Sequence, residues 1–347
     1  MKRKYMIIVL MAGALELTGC SQGTSNSAKN GTTGSENTII SESDIAILDT
    51  EDMFTERDRD TEYDESECTA ISLSDEETKC DSDGVKMDGQ TVTITEGGTY
   101  LLTGSLSNGS VVVDTDKTEK VQLILENVSI INEEGAGICV EQADKVFITL
   151  ADGSTNKIVS NSFTGNEDTN IDGAIFSRED LTLNGSGTLK ITSAAHGIVS
   201  KDDLVLTGGV YQIQSEKQGL SGKESVRIAD GTFTITSGTD AIHSEDTDED
   251  TKGFVYITGG VLTLAAGGDG ISSSYVVQAD GGSFDISTSS TETDTSTKGI
   301  KAQKYVILKD GTYQLATADD GIHCNGNVYV CGGTYSINSG DDGIQLI

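Results

Sequence analysis

Four aspartates, Asp240, Asp269, Asp320 and Asp342, recur at the same place in a repeated tetrapeptide, each just before a Gly-Ile or Ala-Ile pair. Asp319 and Asp341 double the acid at the last two copies, and the stretch 245–250 adds Asp246, Asp248 and Asp250 together with two glutamates. Carboxylates stacked in a column repel one another unless something neutralises them. Calcium, a hard cation that takes six to eight oxygens, is the neutraliser these residue types suit best. The competing reading is that turn aspartates are there to accept backbone hydrogen bonds. A weaker calcium candidate is Asp168-Thr169-Asn170-Ile171-Asp172-Gly173 with Glu179 as the twelfth residue, which fits the spacing of a calcium loop. Its ligands would be Asp168, Asn170 and Asp172. The helices that flank such a loop in an EF-hand are missing, because Ile175, Leu181 and Leu183 belong to the repeat.

Lysines supply a second chemistry. A lysine beside a carboxylate, helped by a cation, can remove a proton from an acidic sugar; Lys201, Lys223 and Lys301 are the candidates for such a lyase. Surface charge is the plainer role for each. His243 and His323 share a column but stand three repeats apart, about 14 Å, too far to hold one metal, and the three histidines read as surface residues. No nucleophile elbow, phosphate loop or Ser-His-Asp grouping occurs. Sugar rings stack best on Trp, which is absent; Tyr256 and Tyr329, at one outward position on different repeats, are the weak aromatic candidates.

The repeat must position all of these. Its apolar residue falls at 175, 198, 220, 242, 271, 300, 322 and 344, a 22-residue period with two insertions of seven. Each unit also carries an aliphatic pair (Leu204/Leu206, Val226/Ile228, Val306/Leu308), a glycine turn, and a second apolar pair (Tyr211/Ile213, Phe233/Ile235, Tyr313/Leu315). A spacing of two puts both members of a pair on one face of a strand. Three short strands in 22 residues leave no room for a helix, so the economical fold is an all-β, single-stranded parallel β-helix. About ten coils at ~4.8 Å give a rod of roughly 50 Å. Extra residues at 160–170, 245–252 and 288–298 belong on its outside, where solenoids build binding surfaces. The chain stops at Ile347, three residues past Ile344 and inside a coil, which leaves a strand edge open unless a continuation or another element caps it.

Composition agrees with this reading. There are 41 Gly, no Pro and 5% aromatic residues, and the formal net charge is −33. So acidic a surface repels nucleic acid and anionic membranes and attracts cations. The first residues differ: Lys2-Arg3-Lys4, an apolar run from Tyr5 to Leu15, then Leu17-Thr18-Gly19-Cys20. That pattern is a lipoprotein signal of residues 1–19, with Cys20 as the acylated N-terminus. Residues 20–53 read as a flexible, acidic tether and 54–347 as the β-helix, with Ile45, Ile47, Leu48, Met53 and Phe54 as possible docking residues around that boundary. The expected location is the outer face of a bacterial membrane, held by lipid. Of the remaining cysteines, Cys68 with Cys80 and Cys324 with Cys331 are the pairs that could bridge, and the odd count leaves at least one out.

Five stretches carry a resemblance. Phe54-Thr55-Glu56-Arg57-Asp58, Tyr63-Asp64-Glu65-Ser66-Glu67, residues 92–104, residues 171–183 and Gly197-Ile198-Val199-Ser200-Lys201-Asp202-Asp203-Leu204 resemble clostridial surface lipoproteins known as carbohydrate-binding domain-containing proteins. The resemblance runs from about residue 54 to the end. It implies a right-handed parallel β-helix similar to pectate-type polysaccharide lyases, bound calcium, and affinity for cellulose-like or acidic plant polysaccharides such as polygalacturonate, without established catalysis. The leading expectation is therefore a calcium-dependent, non-catalytic polysaccharide binder. A lyase with a lysine base and a surface adhesin or structural spike are the rivals.

Overall fold

A computed structural model describes residues 47–163, 170–289 and 296–347. The signal segment, Cys20, most of the tether with Ile45, and Asp168 lie outside the described residues.

The three apolar positions of each repeat become three strands per coil. One face stacks Asp203–Leu206, Ser225–Ile228, Phe254–Ile257, Val276–Ala279, Tyr305–Leu308 and Asn327–Val330. A second stacks Val210–Ser215, Thr232–Ser237, Val261–Ala266, Ser283–Thr288, Thr312–Thr317 and Thr334–Ser339, and a third runs from His196–Ser200 through Leu220–Gly222 and Ile242–Ser244 to Ile344–Leu346. Every pairing along these stacks is parallel and in register. This is a parallel β-helix. The first two faces join into one twenty-stranded sheet, and the third is a sheet of twelve.

Register makes the core a set of ladders. Ile198, Leu220, Ile242, Ile271, Ile300, Ile322 and Ile344 are successive Cα partners. In the second face Phe284, Tyr313 and Tyr335 stack at 4.6 Å with their planes 2° apart, the spacing that neighbouring strands dictate. The corner between the first two faces bends through a left-handed residue, which is why it is glycine at 209, 231, 260, 282, 311 and 333, all at positive φ. The seven-residue insertions do not break the ladder: Ser225 pairs directly with Phe254, and the loop of 245–252 is excluded from the coil.

The N-terminal coil is covered by an antiparallel hairpin, Val85–Asp88 with Thr91–Ile94. Ahead of it, residues 47–60 run along the outside of the first face. The short helix Glu56–Arg59 is fixed by a capping box between Thr55 and Asp58. Asp58 is itself buried and pairs with Lys145 at 2.8 Å, while the Thr182 hydroxyl donates to it at 2.7 Å. Met53 and Phe54 continue the segment over Tyr256, and Ile47 and Leu48 pack beside them. Of the docking residues, Ile47, Leu48, Met53 and Phe54 thus lie on the rod itself.

Candidate functional site

The aspartate column lies at the entry to the third face, and each member is met by donors from the protein. Asp240 accepts the backbone N–H of Asp269, the Ser272 hydroxyl and His243 Nδ1, at 2.7, 2.6 and 3.0 Å. Desolvation pushes its carboxyl upward, but the His243 and Ser272 hydrogen bonds outweigh that and hold it below the usual carboxylate range. Asp269 accepts the N–H of Lys298, the Ser296 hydroxyl and the Lys301 ammonium. Asp320 accepts the N–H of Asp342 and is bonded to His323. Asp240, Asp269 and Asp320 each therefore tie their own coil to the next, which is the turn role weighed against calcium for this column.

Two corrections follow. His323 is not a surface residue: it is 5% exposed, with Nδ1 on Asp320 and Nε2 on Asn325. His243 is half-buried between Asp240 and Ser272. The 22-residue register places each histidine three residues after a column aspartate, so each bonds the aspartate of its own coil.

One part of the column gathers acid beyond its donors. Asp319, Asp320 and Asp341 each bring a carboxylate oxygen within 4.8 Å of the others. Lys298 forms an ion pair with Asp319 and lies 3.8 Å from Asp320. Asp342 is exposed on the last coil. The acidic insertion behaves differently. Asp246 turns inward and accepts the N–H groups of Asp248 and Glu249 at 2.7 and 3.0 Å, closing its own loop. Asp248 reaches Lys223 at 2.8 Å, and Asp250 is exposed.

Upstream on the same face lies a groove of about 500 Å³, lined among others by Asp172, His196, Lys201, Ser221, Lys223 and His243. Asp172 sits 3.4 Å from His196 and 3.6 Å from Lys201, yet among the described residues its buried Oδ1 has no hydrogen-bond donor. Desolvation raises the Asp172 carboxyl, and the His196 hydrogen bond and charge more than reverse this. Asn170 turns the chain into the groove at a φ of 57°. Of the proposed calcium ligands, the two described, Asn170 and Asp172, thus line a groove, with Asp172 beside Lys201 and His196. The groove offers paired donors and acceptors at successive rungs, which suits a ligand rich in hydroxyls.

The lysines named as bases are all held by carboxylates: Lys201 by Asp172, Lys223 by Asp248, and Lys301 by Asp269 at 3.0 Å. Asp248 raises the Lys223 ammonium above the ordinary lysine range. Tyr256 is corrected outright. It is 4% exposed because Phe54 stacks over it at 5.9 Å, and its hydroxyl donates to Asp280. Tyr329 remains half-exposed. Cys68, Cys80 and Cys324 are thiols, so neither proposed disulfide forms.

A second acidic group escaped the sequence reading. Asp202, Asp203 and Glu224 converge on the edge between the third and first faces. Desolvation, then the charges of Asp180, Glu224 and Asp203, push the Asp202 carboxyl up to about 7. The signal was present, since Glu224 follows Asp202 by one 22-residue period and so stacks on it.

A family model described as carbohydrate-binding domain-containing protein matches residues 88–343. The chain belongs to that family. A carbohydrate-binding domain-containing protein of Acetivibrio thermocellus is 34% identical over 137 residues, covering 38% of this chain and 48% of that protein. The chain thus spans about half the length of the curated relative it matches. Among solved structures, a polysaccharide lyase-like protein from C. thermocellum, determined as a gadolinium derivative, is similar with a TM-score of 0.60 and 30% identity, over 77% of this chain and 100% of that one. The expected family and the parallel β-helix both hold.

Proposed function

We propose that this protein is a non-catalytic, calcium-dependent polysaccharide binder displayed on the outer face of a bacterial membrane through a lipid on Cys20. The observation that carries the reading is the third-face groove. There, ion-paired side chains such as Asp172 with Lys201, and Lys223 with Asp248, present donors and acceptors one rung apart along a straight rod. Family membership supports a glycan as the ligand.

Of the carboxylates first considered for calcium, Asp319, Asp320 and Asp341 fit best, because their oxygens converge. Asp240 and Asp269 are already met by donors of the chain. Calcium bound there would neutralise the end of the column and bridge to a uronate, which a surface of this charge otherwise repels. Calcium titration by calorimetry tests the assignment. Asp341→Ala should weaken binding by about tenfold or more, as loss of one charged ligand does. Unchanged calcium affinity in that variant would remove these residues from the site.

A lyase is the second reading, favoured by the likeness to a polysaccharide lyase-like protein. The ion pairs of Lys201, Lys223 and Lys301 argue against it, since a general base must be free of its proton. Polygalacturonate incubated with the protein should therefore gain no ultraviolet absorbance from an unsaturated uronate. Absorbance that disappears in Lys201→Ala would establish the lyase instead.

A further inference from the structure

Outward positions on the first face change character along the rod. Where the early coils carry Asp203 and Arg227, the later ones carry Phe254, Tyr256, Val276, Tyr305, Ile307 and Tyr329. These side chains form an apolar cluster of their own, outside the core ladders. The N-terminal segment covers part of it with Ile47, Leu48, Met53 and Phe54. Beyond that cover, Tyr275, Tyr305 and Tyr329 remain half-exposed, with ring centroids 6.4 and 6.5 Å apart, and the Tyr305 and Tyr329 planes are inclined by only 21°. A half-exposed run of rings on so acidic a rod calls for an occupant.

We propose that Tyr305 and Tyr329, with Tyr275 at their edge, form a stacking platform for an uncharged glycan whose pyranose rings expose an apolar C–H face. This rests on the polysaccharide-binding reading and adds a site on a different face from the groove. Three observations choose the occupant. Phe54 already lies near-parallel over Tyr256, inclined by 27°, so the strip accepts a flat apolar ring laid upon it. The rim is polar, with exposed Asn327 paired across from Tyr305 and exposed Gln303 and Lys304 just before it, which suits hydroxyls at a ring's edge. The net charge of −33 disfavours a polyanion wherever no cation intervenes.

Cellohexaose, an uncharged β-linked probe, tests this on the full chain. Because the chain has no Trp, tyrosine emission reports binding directly, and calorimetry gives the affinity. Tyr305→Ala with Tyr329→Ala should weaken cellohexaose binding by about tenfold or more, while Tyr→Phe at both positions keeps it within about twofold, since the ring face rather than the hydroxyl makes the contact. Thermal melting shows whether the alanine variant stays folded, and the phenylalanine variant keeps the test open if it does not. Unaltered cellohexaose affinity in the folded alanine variant overturns the platform. So does a dimer of the wild-type chain in sedimentation that the alanine variant dissolves, because the strip then serves a second copy. If polygalacturonate binds with calcium but cellohexaose does not, the platform falls and the groove reading stands. Absence of binding to both probes removes both.

Discussion

Asp58 shows how one side chain can hold a long segment in place. It closes the capping box of its helix, accepts from Thr182 and pairs with Lys145, all under cover of the segment it anchors. Desolvation raises its carboxyl, but the Lys145 and Thr182 hydrogen bonds and the Lys145 charge outweigh this and leave it below the usual carboxylate value. A lowered carboxylate stabilises the fold above its unfolded value near 4, and that stabilisation is lost as pH falls through the folded value. Asp58→Ala should cost about 3 kcal/mol at neutral pH, because Lys145 is left without its partner. The gap between wild type and variant, followed by thermal melting, should close below about pH 4. Asp202 has the opposite sign. Its carboxyl is raised to about 7, so the folded chain holds a proton that the unfolded chain has released, and stability falls as pH rises from about 4 to 7. Asp202→Asn should flatten that slope and raise the melting temperature at pH 8. A variant that melts lower than wild type at pH 8 would show the cluster to be neutralised another way.

At the scale of the coil, the ladders were legible because a strand repeat in register must place like residues on like positions. Ile242, Val306 and Tyr313 could be assigned to their columns from spacing alone, and the glycine corner followed. What spacing cannot carry is contact between distant parts of the chain. Tyr256 occupies an outward position by register and is nevertheless buried, because Phe54, some two hundred residues earlier in the sequence, lies over it. The histidines were misread for a related reason: His323 is turned toward Asp320 within its own coil, and the pattern of types gives a column but no side-chain direction. The acidic column was found, but the N–H, Ser and Lys donors that meet it come from the neighbouring coil. Tyr313 offers the direct test of the ladder. It is fully buried between Phe284 and Tyr335, and its hydroxyl donates to the Asp310 carbonyl at 2.8 Å. Tyr313→Ala should cost about 3–5 kcal/mol, measured by chemical denaturation, as large aromatic truncations in packed cores do. A cost under about 1 kcal/mol would mean that the rings are not close-packed.

For the whole molecule, straightness and charge together set what the rod can hold. Successive coils repeat side chains at the strand spacing, so a linear polymer meets equivalent groups along its length. The acid that makes the surface soluble also requires a cation wherever the polymer is itself acidic. The central claim is thus a glycan bound through calcium, and retention of the full chain in gels containing polygalacturonate tests it most directly. Retardation with calcium that is abolished by a chelator and restored by added calcium is the expected result. Retardation that persists unchanged in chelator, or no retardation under either condition, would contradict the account.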